Sequence, residues 1–256
     1  MKLKDIEIHY KIDEAHEAPW LIFCNSLATN LSMWDRETEH LSGRFRILRF
    51  DQRGHGQSNA PAGRYSILSL LDDVISLMDR LSIERADICG LSLGGATAMG
   101  IAQRYPDRLR RLVVCSSPCA STSASAKVWE QRASLAAQSG MAALCESTLE
   151  RWFSADTLNA KAPQVARVRS MILSTPVLGY IGCAAALADH DFRSEIGKVK
   201  CPVMFLVGEH DASTQEMRQM HADLPGSKMH ELSAAGHICN LDQPAAFVTA
   251  LDEFLG

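Results

Sequence analysis

Residues 87–109 read DICGLSLGGATAMGIAQRYPDRL. One serine, Ser92, stands with Gly90 two positions before it and Gly94 two positions after, following an apolar run and preceding a stretch of helical composition. A serine that reacts from a sharp strand-to-helix turn needs that arrangement, because the turn strains its backbone and side chains at the two glycines would strike the neighbouring strand and helix. The helix that begins there puts its positive dipole end beneath any negative charge that develops. Gly-x-Ser-x-Gly is short enough to arise by chance as a glycine-rich turn, so its setting between ADIC and a helix carries the reading.

On both sides of this turn, short apolar runs alternate with longer segments of helical period. The predicted strands are WLIFCNS (20–26), FRILRFD (45–51), ADICGLS (86–92), LRRLVVCSS (109–117), PVMFLVGEHD (202–211) and KMHELSAAGH (228–237). Most lack alternation, as expected of strands covered on both faces, which implies a parallel sheet. Between the second and third, Ile67, Leu70, Leu71, Val74, Leu77, Met78 and Leu81 keep i, i+3, i+4 spacing, a helix with one stripe on the sheet. Another helix runs from Leu93 towards Pro106, and a last one covers PAAFVTALDEFL with Pro244 in its first turn. Strand, helix, strand, helix is the doubly wound α/β pattern, a mostly parallel central sheet with helices on both faces. Residues 119–197 break it with a Ser/Ala-rich start, CASTSASAK, and helical segments without a convincing strand. The expected organisation is a core of residues 1–118 and 198–256 with a helical cap inserted at 119–197.

At 256 residues the chain can hold one large core plus a modest insertion. Its net charge of −4 and pI near 6.1 give no electrostatic reason to expect nucleic acid, and a small or neutral partner fits better. The insertion with its trailing Lys198 and Lys200 carries nine Lys/Arg against seven Asp/Glu, mildly positive within an acidic protein. No run approaches the roughly 20 apolar residues of a membrane helix, and MKLKDIEIHYKIDE lacks a signal-peptide core, so the expected location is the cytoplasm and no membrane partner is expected. Cys24, Cys89, Cys115 and Cys201 lie in or beside apolar runs, and no Cys-x-x-Cys pair occurs, which points to buried free thiols and no metal. A monomer or small homo-oligomer is expected.

A serine hydroxyl is a poor nucleophile until a base takes its proton, and the base must itself be oriented. On such a sheet the order along the chain is nucleophile, acid, base. Asp211 ends PVMFLVGEHD and His237 stands in AAGHICNLDQP just after the next predicted strand; Glu209 and Asp242 are the rival acids. His55, in the turn RGHGQS, His210 and His230 read more simply as turn, surface or packing residues. The amide of Leu93 and that of Leu27, in the loop CNSLATN, are the expected pair of donors to an oxyanion.

With these residues in place the chain resembles the α/β-hydrolases, and more narrowly the 3-oxoadipate enol-lactonases of aromatic catabolism. The resemblance rests on NSLATNLSMWD, LRFDQRGHGQS, GLSLGG, RWF, GYIGCAAALADHDF and AAGHICNLDQP, which span almost the whole chain. Ala28 stands where that family has glycine after Asn-Ser-Leu, and Ala212, Ser213 and Thr214 stand where it has Pro-Ala-Thr. The resemblance implies hydrolysis of a carboxylate-bearing enol-lactone by Ser92, His237 and Asp211 through an acyl-enzyme, without cofactor or metal. Arg151 and Trp152, in RWF, and Trp34 are the expected substrate contacts. The alternatives are a general carboxylesterase or perhydrolase, a carbon–carbon bond hydrolase acting on a ring-cleavage product, and a non-catalytic receptor that keeps the triad.

Overall fold

The structure, a computed structural model, describes residues 1–3, 6–13 and 17–256. The first half of the chain forms β1 (Tyr10–Asp13), β2 (Trp20–Cys24), α1 (Asp35–Leu41), β3 (Arg46–Phe50), α2 (Ile67–Arg80), β4 (Ala86–Leu91), α3 (Leu93–Arg104) and β5 (Leu109–Cys115). Five helices follow: α4 (Ser123–Ser139), α5 (Ala142–Trp152), α6 (Ala155–Asn159), α7 (Pro163–Ser174) and α8 (Val177–Asp189). The chain then returns to the sheet with β6 (Val203–Gly208), α9 (Thr214–Asp223), β7 (Lys228–Leu232), α10 (Cys239–Asp242) and α11 (Pro244–Leu255).

The seven strands form one sheet in the order β1-β3-β2-β4-β5-β6-β7, with β1 antiparallel to β3 and every other pair parallel. β4 is buried along its whole length between β2 and β5, which is why ADICGL carries no polar face to alternate. α2 opens on a capping box in which Ser66 and Ser69 satisfy each other's amides, and it buries the predicted stripe from Ile67 to Met78, with Leu81 half-buried at its C-cap. α11 starts at Pro244 as expected and buries Phe247, Leu251 and Leu255. Helices cover both faces: α2 and α3 pack together on the sheet, and α1 packs with α11.

Four features differ from the sequence reading. β1 was not expected; it is a four-residue antiparallel edge of mostly half-buried residues, too short to leave a pattern. α1 and α9 were not expected either, being short amphipathic pieces rich in charge. β6 stops at Gly208, so Asp211 stands three residues past the strand. β7 stops at Leu232, five residues short of the predicted end, and is a partly exposed edge strand, so the loop that carries His237 is longer than expected.

Between β5 and β6 the described residues contain helices and no ladder strand, and the two ends of this insertion are stitched to each other. The Ser121 amide donates to the His190 carbonyl at 2.8 Å and the Phe192 amide to the Cys119 carbonyl at 2.7 Å. The chain beyond that neck, through Ile196–Lys198, packs on α3 and α9 of the core. Among the described residues no single helix is long and apolar enough to cross a membrane. All eight cysteines are free thiols, six of them buried, and burial raises the pKa of Cys24, Cys183 and Cys239 far above the ordinary value.

Candidate active site

Ser92 sits between β4 and α3 with φ 55° and ψ −113°, a backbone conformation that L-residues avoid. Its amide donates to the Cys115 carbonyl on β5 at 2.8 Å, which pins the turn to the next strand. The flanking glycines are required by contact. A Cβ on Gly90 would lie 2.2 Å from the Gly94 carbonyl oxygen, and one on Gly94 would lie 2.1 Å from the Cys24 carbonyl oxygen. The Ser92 hydroxyl has no protein hydrogen-bond partner among the described residues, and the side chain faces a cleft of about 250 Å³ that it shares with His237, Asp211 and Arg151.

His237 Nδ1 lies 2.9 Å from Asp211 Oδ2. Burial alone would raise the Asp211 carboxyl, but the His237 ring, the Ser213 amide and the Ser116 hydroxyl together hold it well below the usual carboxylate range. An ionised Asp211 selects the tautomer with the proton on Nδ1, leaving Nε2 free to accept. The rival acids are engaged elsewhere: Glu209 accepts the Ala234 amide on the surface, and Asp242 accepts from Gly236, Ser154 and Thr157.

The Leu93 amide opens α3, where no preceding carbonyl is in reach, and the Leu27 amide lies in the loop after β2; neither donates to a protein acceptor among the described residues. That loop is braced on every side. Asn25 donates to the Phe50 carbonyl at 2.7 Å and accepts from the Trp34 indole at 2.9 Å, and the Ala28 amide donates to His55 Nε2 at 2.9 Å. His55 is fully buried, and burial pushes its pKa down to about 4, so the ring is a neutral acceptor. It is therefore a brace of this loop, more specific than the turn or packing residue the sequence suggested.

Of the three expected substrate contacts, the cleft holds one. Arg151 lines it and makes no ion pair or hydrogen bond among the described residues; partial burial, then the like charge of Arg132, lowers its pKa, and the guanidinium remains charged at neutral pH. Trp34 belongs to the core: it is fully buried, stacked on Phe23 with centroids 4.6 Å apart, and its N–H is consumed by Asn25. Trp152 packs behind His237 with ring centroids 6.2 Å apart and is buried there, off the cleft wall. Residues absent from the sequence reading line the cleft instead, among them Trp129 on α4, Ser117 after β5, His190 at the end of α8 and Glu216 on α9. Trp129 carries a local signal as the one aromatic residue in α4; the others carry none.

Residues 19–244 match the sequence pattern of the alpha/beta hydrolase fold family. The chain belongs to that family. It is 32% identical to 3-oxoadipate enol-lactonase 2 of Acinetobacter baylyi, over 97% of this chain and 93% of that one. Among solved structures it superposes on the enol-lactonase of Burkholderia xenovorans with a TM-score of 0.94 and 39% identity, covering 98% of this chain and 96% of the other. A thermophilic esterase from Thermogutta terrifontis, solved with malate bound, gives a TM-score of 0.92 at 26% identity, over 98% and 93%. As an α/β-hydrolase with such relatives the protein is a carboxylic ester hydrolase, acting on a small-molecule ester or lactone.

Proposed function

We propose that the protein hydrolyses a carboxylate-bearing enol-lactone of the 3-oxoadipate type, with Ser92 as nucleophile, His237 as base and Asp211 as the group that orients it. The observation that carries this reading is the His237–Asp211 pair at 2.9 Å, facing the same cleft as an unengaged Ser92 hydroxyl at the start of α3. His237 Nε2 takes the Ser92 proton as Oγ attacks the ring carbonyl, and the Leu27 and Leu93 amides receive the oxyanion. Collapse opens the ring and His237 returns the proton to the leaving enol oxygen. Water, deprotonated by the same imidazole, then releases the acyl group.

Arg151, exposed and in no ion pair among the described residues, supplies a counter-charge for the carboxylate arm, and Trp129 a flat apolar wall. The insertion acts as a cap, since α4, α5 and α8 each contribute to the cleft lining. No step requires a metal or organic cofactor. The enol-lactonases among the relatives support the substrate class.

The test is steady-state hydrolysis of 3-oxoadipate enol-lactone beside p-nitrophenyl acetate, with Ser92→Ala as control. A kcat/KM for the lactone at least about a hundredfold above the ester, roughly 2.7 kcal/mol of transition-state discrimination, is expected, with loss of both activities in Ser92→Ala. Preference for the neutral ester would instead assign a general carboxylesterase, and poor turnover of both with Ser92 still labelled by a fluorophosphonate would redirect the search to ring-cleavage products.

A further inference from the structure

We propose that Asp242 is a positioning residue that clasps the helical insertion to the loop carrying His237, so that docking of the insertion and orientation of the base are one event. The proposal rests on the reading of His237 as the base. Asp242, at the end of α10, is 4% exposed. Its Oδ2 accepts the Gly236 amide and the Ser154 amide, each at 2.7 Å, and its Oδ1 accepts the Ser154 hydroxyl at 3.0 Å and the Thr157 hydroxyl. Gly236 immediately precedes His237, while Ser154 caps α6 and Thr157 lies in its first turn, both inside the insertion.

The other side of the base is tied to the same segment. The Ile238 amide donates to the Trp152 carbonyl at 3.0 Å, two residues before Ser154. Both amides that flank His237 are thus held by, or through a carboxylate shared with, residues 152–157. The backbones are in contact as well: a Cβ on Gly236 would fall 2.6 Å from the Trp152 carbonyl oxygen. The Trp152 ring then lies against the imidazole.

No cation pairs with Asp242 among the described residues; four donors hold its charge. That donor set separates the effects of two substitutions. Asparagine can give its oxygen to the two amides and its NH₂ to the two hydroxyls, which turn to accept. Alanine leaves all four donors without their acceptor. The arrangement also links ligand to base, because Arg151 adjoins Trp152 in sequence: a carboxylate drawn to Arg151 loads the same segment whose carbonyl holds Ile238.

The experiment measures p-nitrophenyl acetate hydrolysis and the downfield proton resonance of the His237 Nδ1–H in the wild type, Asp242→Ala, Asp242→Asn and the double variant Ser154→Ala/Thr157→Val, with Ser92→Ala and His237→Ala as controls. Expected for Asp242→Ala is a fall in kcat of about tenfold or more with KM within about twofold, and loss of the downfield resonance. Asp242→Asn should keep about a third or more of kcat and retain the resonance, and the double variant should fall between. A folded Asp242→Ala with wild-type kcat and resonance, beside inactive Ser92→Ala and His237→Ala, overturns the clasp. If Asp242→Ala does not fold, the double variant decides: unchanged kcat and resonance overturn the proposal, and a several-fold loss of kcat at constant KM supports it. Turnover that survives in Ser92→Ala refutes the proposed function, and the clasp is then decided by whether the resonance persists in Asp242→Ala.

Discussion

Replacing Glu37 by glutamine is expected to stabilise the protein increasingly as pH rises. Glu37 lies on α1, fully buried, and neither carboxyl oxygen is paired; the Asn240 side chain beside it has an unpaired Oδ1. Burial raises the Glu37 pKa from 4.5 to about 8, outweighing relief from its own amide, Asn240, Arg36 and Arg167. At neutral pH the group is therefore a carboxylic acid, and a neutral O–H can donate to the Asn240 oxygen, which gives one carboxyl oxygen and the Asn240 oxygen a partner at once. The folded value lies above the unfolded one, so the stability this group contributes is fully present below about pH 4.5 and is lost as pH climbs towards about 8, where the loss levels off. At about 1.4 kcal/mol per unit, the penalty accumulated between pH 5 and pH 7.5 is about 3 kcal/mol. Glutamine has no such penalty. Urea unfolding of both proteins at the two pH values isolates the titration, because any fixed cost of burying the amide cancels in the difference. A stability gap between variant and wild type that changes by less than about 0.5 kcal/mol over that range would refute the argument that Glu37 is held neutral.

Gly94→Ala pushes a Cβ to 2.1 Å from the Cys24 carbonyl, where only backbone can give way; a loss of about 3 kcal/mol or more is expected, read as a fall in melting temperature of about 5–10 °C. Arg151→Met should raise KM for the enol-lactone about tenfold or more and leave p-nitrophenyl acetate nearly unchanged, if the arginine holds the carboxylate. His55→Leu orphans the buried Ala28 amide and should cost about 1–3 kcal/mol of stability together with a lower kcat, whereas His55→Gln can supply an oxygen acceptor and keep more of both; chemical denaturation and steady-state kinetics on the same preparations separate the two.

What could be read from the chain followed how local the determinant is. Ser92 was legible because two glycines and a strand-helix boundary lie within five residues of it. Asp211 and His237 were legible from chain order, although the structure puts both on loops past their strands. The cleft wall was not legible. Arg151 and Trp152 are sequence neighbours on α5 yet diverge, one into the cleft and one behind His237, because adjacent helical positions point about 100° apart. Trp34 failed as a substrate contact because its indole N–H finds its partner nine residues back, in Asn25, a pairing no local pattern announces. In sequence Asp242 reads only as a rival acid, because its donors lie 6 to 88 residues away.

The places where local rules fail are informative about the chemistry. Three non-glycine residues with positive φ, Ala28 at 57°, Ser92 at 55° and Ser116 at 47°, follow the carboxyl ends of β2, β4 and β5, which are neighbours in the sheet. Each costs about 1 kcal/mol or more relative to glycine. At Ser92 and Ser116 a side chain is retained for a visible reason, one hydroxyl open to the cleft and the other set where it donates to the Cys239 sulfur and helps to hold the Asp211 carboxyl low. Nothing in the structure explains the methyl of Ala28. What the structure does explain is why that backbone conformation is kept: it turns the Ala28 amide onto His55 and leaves the Leu27 amide unspent beside the serine turn. Three of the seven described non-glycine residues with positive φ therefore lie at one end of three neighbouring strands, where on the proposed reading backbone amides face a reacting carbonyl instead of a ladder partner, and the fully buried β4 and the helices that cover the sheet hold them there.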